Sequence, residues 1–202
     1  IVICNIGAQS IYLKEFVTND WLTYTLVYLA NDITLAQGIS ILAKFWFRGY
    51  SSTPYFEILK DADVSITTTR DIVYTSYSIS LIINENAKFA VKTRYGFFRS
   101  NSHQVASILV DKKSDFSVIQ SQTNGTNATI SCRGSFTVNE GSTVYLEANY
   151  SNSAPLVLFS TTSASLNVTK PKSLILYNSS YNCFSFSNTT AINIDCGKID
   201  YW

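Results

Sequence analysis

The sequence predicts an all-β fold, an antiparallel β-sandwich, on three observations. Apolar and polar residues alternate with a period of two, which marks half-buried strands. Stretches rich in Ile, Val, Thr, Tyr and Phe are separated by Asn/Asp turn cues. No segment holds a convincing helical period; the one weak candidate, 32–44, carries Gly38 among β-branched neighbours.

The alternation is cleanest at Ile130, Cys132, Gly134, Phe136 and Val138, with Thr129, Ser131, Arg133, Ser135 and Thr137 between them. After the turn cue Asn139-Glu140-Gly141, Val144, Leu146, Ala148 and Tyr150 alternate with Thr143, Tyr145, Glu147 and Asn149. The two runs are expected to pair as an antiparallel hairpin. Earlier strands are expected over 11–17, 21–30, 39–48, 64–69, 72–83 and 88–98, with turns at Asn19-Asp20, Asn31-Asp32, Arg70-Asp71 and Asn84-Glu85-Asn86. No internal repeat stands out.

Charged residues make up 14% of the 202-residue chain, against about 25% in an ordinary soluble domain. Only eight of them follow Ser121, whereas three of the four cysteines do. That shift suggests a first β-lobe over 11–121, following a short N-terminal segment 1–10, and a second over 122–202, with a single uneven sandwich as the alternative. A formal charge of +1 offers no extended field to a polyanion, so nucleic acid is not an expected partner. No uncharged apolar stretch reaches the roughly 18 to 20 residues of a spanning helix.

Methionine is absent, position 1 included, which reads as a mature exported chain after loss of a targeting segment. In that setting Cys4, Cys132, Cys183 and Cys196 are expected to form disulfides. Pairing Cys183 with Cys196 closes a hairpin-sized loop and leaves Cys4 for Cys132, within one chain or between neighbours. Six Asn-X-Ser/Thr triplets, at Asn124, Asn127, Asn149, Asn167, Asn178 and Asn188, are candidate acceptors for N-linked glycans. Asn178, Asn124 and Asn127 are expected to be exposed.

Signs of catalysis are sparse. The sole histidine, His103, lies in the polar run Arg99-Ser100-Asn101-Ser102 without a carboxylate or cysteine at ligand spacing, and reads as a surface loop residue. There is no GxSxG elbow, phosphate-binding glycine loop or HExxH. Asp61 and Asp63 lack the further ligands of a calcium loop and read as turn residues. The expectation is a non-enzyme with no cofactor or metal. Tyr74, Tyr77, Tyr95, Phe97 and Phe98 could stack on sugars, but in a sandwich such aromatics are core.

Ile1, Val2, Ile3, Cys4, Asn5, Ile6, Gly7 and Ala8 form an uncharged run of β-formers that needs a sheet to pair with, its own or a neighbour's. With the paired cysteines and the six sequons, this Ile-rich strand resembles the thread pilins of Sulfolobales archaea. The resemblance implies an immunoglobulin-like, pilin-like sandwich in which residues 1–8 are a donor strand completing the next subunit. It implies an extracellular, cell-surface filament of identical subunits joined head to tail, serving adhesion or biofilm formation. The alternative is a glycosylated ectodomain of a viral or cell-surface protein that binds a surface or glycan ligand.

Overall fold

The computed structural model describes residues 27–29, 33–35, 39–42, 47–49, 55–67, 80–93, 107–121, 128–149, 154–179, 181–187 and 190–196, with side chains from Glu57 onward. Eighteen short strands lie among them. The first nine are β1 (Val27–Leu29), β2 (Ile33–Leu35), β3 (Ile39–Leu42), β4 (Phe47–Gly49), β5 (Tyr55–Ile58), β6 (Asp63–Thr67), β7 (Ser80–Ile83), β8 (Lys88–Thr93) and β9 (Ser107–Val110). The others are β10 (Asp115–Gln120), β11 (Ile130–Cys132), β12 (Ser135–Val138), β13 (Thr143–Ala148), β14 (Val157–Phe159), β15 (Ser165–Thr169), β16 (Ser173–Asn178), β17 (Phe184–Phe186) and β18 (Ala191–Asp195).

Every described pairing is parallel. Seven strands form one sheet in the order β18-β15-β12-β9-β7-β5-β2, six form a second as β16-β13-β10-β8-β6-β3, and β11-β14-β17 make a third. Strands adjacent in sequence therefore lie in different sheets, and each pairs with its counterpart one coil away. The chain winds as a β-solenoid, which overturns the expected antiparallel immunoglobulin-like or pilin-like sandwich. A parallel pair needs a long crossover between its strands, and here the rest of each coil supplies it.

The expected hairpin across Asn139-Glu140-Gly141 is corrected in the same way. β12 belongs to the seven-stranded sheet and β13 to the six-stranded one, so the turn is a corner and not a reversal. Period-two alternation reports a half-buried strand and says nothing of its neighbour's direction.

The corner is built by four residues with one geometry. Ala62, Ala87, Ser114 and Ser142 donate their backbone N–H groups to the carbonyls of Leu59, Asn84, Asp111 and Asn139, at 3.1 to 3.2 Å. The third residue of each corner, Asp61, Asn86, Lys113 or Gly141, has φ between 59 and 74°, the left-handed conformation that a type II turn needs there. In the last corner, Thr169-Lys170-Pro171-Lys172, proline occupies that third place and cannot turn left-handed, and the positive φ moves to Lys170. Corner amides also bond upward: Asp61 N to Glu85 O, Asn86 N to Lys112 O, Lys113 N to Glu140 O and Gly141 N to Lys170 O, at 2.9 to 3.2 Å.

These corners expose a repeat that was not legible in the sequence. Ser80-Leu81-Ile82-Ile83-Asn84 corresponds to Ser107-Ile108-Leu109-Val110-Asp111, to Ser135-Phe136-Thr137-Val138-Asn139 and to Ser165-Leu166-Asn167-Val168-Thr169. Each is followed four to five residues later by another inward pair, such as Phe89 and Val91 or Phe116 and Val118. The second sheet runs without a break across the junction expected near Gln122, since β10 pairs with β13 from Asp115 against Thr143 to Gln120 against Ala148.

The core is the inside of the coil. Leu81, Ile108, Phe136 and Leu166 form one buried column of the seven-stranded sheet, and Ile58, Ile83, Val110, Val138 and Val168 another. From the facing sheet come Val64, Phe89, Phe116 and Val144, with Phe89 and Phe116 stacked at 6.0 Å between ring centroids. Each fully buried side chain of this kind stabilises the fold by about 1.5 to 3 kcal/mol, so the coils are held together chiefly by column packing.

Polar ladders finish the corners. Ser114 Oγ donates to Asp111 O at 2.6 Å and lies 2.8 Å from Asn84 O, and Ser142 Oγ donates to Asp111 O at 2.9 Å. Asn139 Nδ2 donates to Asp111 Oδ1 at 2.9 Å. On the outer rim Lys60 pairs with Glu85 at 2.7 Å, an exposed bridge that adds little stability.

Candidate functional site

The described residues finish in a coil at which the burial of the inward columns changes. β18, β16 and β17 are the last strands of the three sheets, and they form one terminal coil. Its inward residues stand in register with the core: Ile192 on Leu166, Ile194 on Val168, and Phe186 on Phe159. Burial changes abruptly at this step. Val168 is 1% exposed and Ile194 51%; Phe159 is fully buried and Phe186 is 37% exposed. Leu174, Leu176 and Phe184 of the same coil are only partly buried.

Phe159, Phe184 and Phe186 make a ring cluster that carries the aromatic packing to this end, with Phe159 and Phe186 stacked at 5.1 Å and Phe184 and Phe186 at 5.4 Å. The outermost strands also leave one row of backbone donors and acceptors without a described strand beside it. Exposed apolar side chains next to an open parallel edge form a surface suited to receiving another strand or coil.

A second apolar patch faces outward on the same coils. Tyr145 neighbours Ile175 and Glu147 neighbours Tyr177 across β13 and β16, and Ile175, Tyr177 and Tyr181 are about half exposed. Tyr145 Oη donates to the Glu147 carboxylate, and that bond raises the phenol above its ordinary pKa.

Three of the four cysteines fall among the described residues, and Cys4, one of the expected partners, lies outside them. Cys132, Cys183 and Cys196 are free thiols in this structure. Cys132 is buried inside β11, its Sγ donates to Gly134 O at 3.5 Å, and burial pushes its pKa up to about 11. A partner for it must enter the core. Cys183 leads into β17 of the three-stranded sheet while Cys196 follows β18 of the seven-stranded one. Burial raises the Cys183 thiol too, and its Sγ lies 3.6 Å from Leu176 O.

Three sequons are described. Asn149 is exposed just beyond β13. Asn167 faces outward from β15 in a ladder, its Oδ1 accepting from Asn193 Nδ2 at 2.9 Å and its Nδ2 donating to Ser165 Oγ at 3.1 Å. Asn178, expected to be exposed, is half-buried, and its Nδ2 donates to Ala154 O at 3.1 Å and Asn182 O at 3.2 Å.

Asp61 sits where a turn residue belongs, whereas Asp63, also expected in a turn, is a strand residue. Asp61 takes the left-handed place and accepts from Asn86 Nδ2 at 2.7 Å, and Asp63 opens β6 opposite Lys88. No cluster of three or more His, Cys, Asp or Glu residues suited to a metal occurs among the described residues. His103, Cys4, Asn124, Asn127, Asn188, the strand Ile1–Ala8 and the aromatics Tyr74, Tyr77, Tyr95, Phe97 and Phe98 lie outside the described residues.

Sequence reasoning missed the terminal coil. Ala191-Ile192-Asn193-Ile194-Asp195 alternates like any half-buried strand, and nothing in the five residues themselves distinguishes a terminal strand from an internal one. Alignment to Ser165-Leu166-Asn167-Val168-Thr169 is the signal that would have found it. No protein-family model matches the chain, and no curated protein or solved structure matches it either.

Proposed function

We propose that the chain is a structural subunit of an extracellular filament, assembled head to tail and serving surface adhesion, with no catalytic role. The observation that carries this reading is the terminal coil, whose inward residues Ile192, Ile194 and Phe186 face solvent in register with buried columns. The occupant we assign to it is the uncharged strand Ile1–Ala8 of a neighbouring copy, whose alternate apolar residues match an edge of Ile and Phe. A surface on one end that receives a segment from another part of the next copy is heterologous, and its repetition makes a fibre and not a closed ring. In this form the donated strand extends a solenoid; it does not complete a sandwich.

The test is negative-stain microscopy and light scattering of the full chain, of a chain lacking residues 1–10, and of Ile194→Asp. Filaments from the full chain with folded monomers from both variants support the reading. Filaments from the truncated chain, or a full chain that stays monomeric at every concentration, sink it.

A second reading, a receptor-binding ectodomain, is favoured by the outward Tyr145, Ile175 and Tyr177 patch, which assembly along the coil axis leaves uncovered. Surface binding retained by the monomeric Ile194→Asp variant and lost on Tyr177→Ala would favour it.

A further inference from the structure

Three described sequons share one motif but place their amide nitrogens in three different environments, and a glycan is attached through that nitrogen. We infer that Asn149 is an N-linked glycan site and that Asn167 and Asn178 are not. The inference rests on the extracellular reading for its biological setting, and on side-chain geometry for its choice of residue.

An asparagine amide has two N–H protons, and glycosylation consumes one. In the transfer, Nδ2 forms a bond to the anomeric carbon of a lipid-phosphate-linked oligosaccharide. The bond from that carbon to the phosphate oxygen breaks, the lipid phosphate leaves with the electron pair, and Nδ2 loses a proton. One N–H remains on the product.

Asn178 has none to give. Its two N–H protons match two acceptors, Ala154 O and Asn182 O, and so tie the approach to β14 and the approach to β17 to the end of β16. A sugar on this nitrogen removes one of those bonds and must occupy the space of a carbonyl in a half-buried corner. Of the two acceptors, Ala154 O belongs to a buried residue, so losing that bond lowers folding stability, and the sugar must in addition be accommodated beside it. A chain modified there is selected against as it folds.

Asn167 is held from both ends of its amide. It lies between Thr137 below and Asn193 above, in register on the outer face of the seven-stranded sheet. Asn167 is half-buried, its Oδ1 accepts from Asn193 and its Nδ2 donates to Ser165 Oγ, so a sugar on Nδ2 must fit within a ladder that has a neighbour on either side.

Asn149 is free of these ties. It is exposed, its backbone N–H is already satisfied by Gln120 O at 3.1 Å, and its only recorded side-chain bond is from Nδ2 to Glu147 Oε1. The single N–H left after transfer can keep that bond. The residue also stands two places beyond Glu147, which neighbours Tyr177, so a glycan here starts at the rim of the outward Tyr and Ile patch.

The test is to express the full chain behind an added leader in a eukaryotic secretory host, so that export is imposed and the choice of site is read separately from the native location. The folded secreted fraction is treated with an amidase that releases glycans in heavy-oxygen water, which converts each occupied Asn to labelled Asp for peptide mass spectrometry. The expected result is label at Asn149 and none at Asn167 or Asn178. Asn149→Gln is expected to lower the mass by one glycan and leave Tm unchanged, whereas Asn178→Ala lowers Tm without a mass change from lost sugar. Label at Asn167 or Asn178 in the folded fraction, or an unlabelled Asn149, overturns the inference. Filament formation by Asn149→Gln protein is scored separately, so failure of the site leaves the assembly reading to its own test.

Discussion

Ile192 stands directly over Leu166 in one inward column, yet Leu166 is 2% exposed and Ile192 is 49% exposed. The same position is core in one coil and surface in the next. Leu166→Ala is therefore expected to cost about 2 to 5 kcal/mol of folding stability. Ile192→Ala in the monomer is expected to cost less than about half of that, because roughly half of its transfer energy is never gained. Urea titrations of the two variants at low protein concentration read the difference, and equal losses would mean that Ile192 is covered in solution.

Phe116 of the second sheet is 1% exposed and stacks on Phe89 at 6.0 Å. Phe116→Ala is expected to destabilise by about 3 to 5 kcal/mol. Thermal unfolding followed by circular dichroism checks it. A loss under about 1 kcal/mol would show that the stacked columns do not hold neighbouring coils together.

The corners give a prediction of opposite signs. Lys113 has φ of 59° and Gly141 of 74° at the same place in consecutive corners, and a Cβ on Gly141 would lie 3.3 Å from Lys113 Cγ. Gly141→Ala is expected to cost about 1 to 2 kcal/mol for the left-handed backbone alone. Lys113→Gly relieves the same strain and is expected to stabilise by up to about 1 kcal/mol, offset in part by glycine's greater freedom in the unfolded chain. Denaturation midpoints of the two variants should move in opposite directions.

Cys132 links stability to alkaline pH. Its thiol is raised from 9.0 to about 11 by burial, so the folded chain holds a proton that the unfolded chain releases first. The contribution is whole below pH 9 and fades as pH rises to about 11, and it is on the order of 2 to 3 kcal/mol. Wild type and Cys132→Ala should therefore differ most in their stability slopes over that interval. Thiol labelling at pH 8 should also spare Cys132 until the chain unfolds, and prompt labelling of the native protein would contradict its burial.

Much of the local structure was legible. The turn at Asn84-Glu85-Asn86, the strands through Val64 and from Lys88, and the inward Phe136 and Val138 follow from a period of two and from the left-handed tolerance of Asn. The single strand expected through 129–138 is instead two, β11 and β12 in different sheets, with Thr129 and Ser131 buried. Strand direction was not legible, because a strand facing one core has the same alternation in a hairpin and in a coil. The repeat was hidden by two things. The left-handed place is filled by Asp61, Asn86, Lys113 and Gly141, four residues with little in common as a motif. The coils also differ in length, with Phe56, Leu81, Ile108, Phe136, Leu166 and Ile192 at one backbone register position at steps of about 25 to 30 residues, all the variation lying outside the four-residue corner. The candidate site was illegible for the same reason, since a terminal coil can be recognised only once coils are.

The constant corner and the variable return path make the molecule a ruler with fixed graduations. Each coil adds one strand spacing, about 4.8 Å, whatever the number of residues it spends on its way round. Residues inserted between β13 and β14 widen the rod without lengthening it, whereas duplicating a whole coil lengthens it by one graduation and leaves its cross-section unchanged. Reach in such a protein is counted in whole coils, and decoration is free to vary at each one.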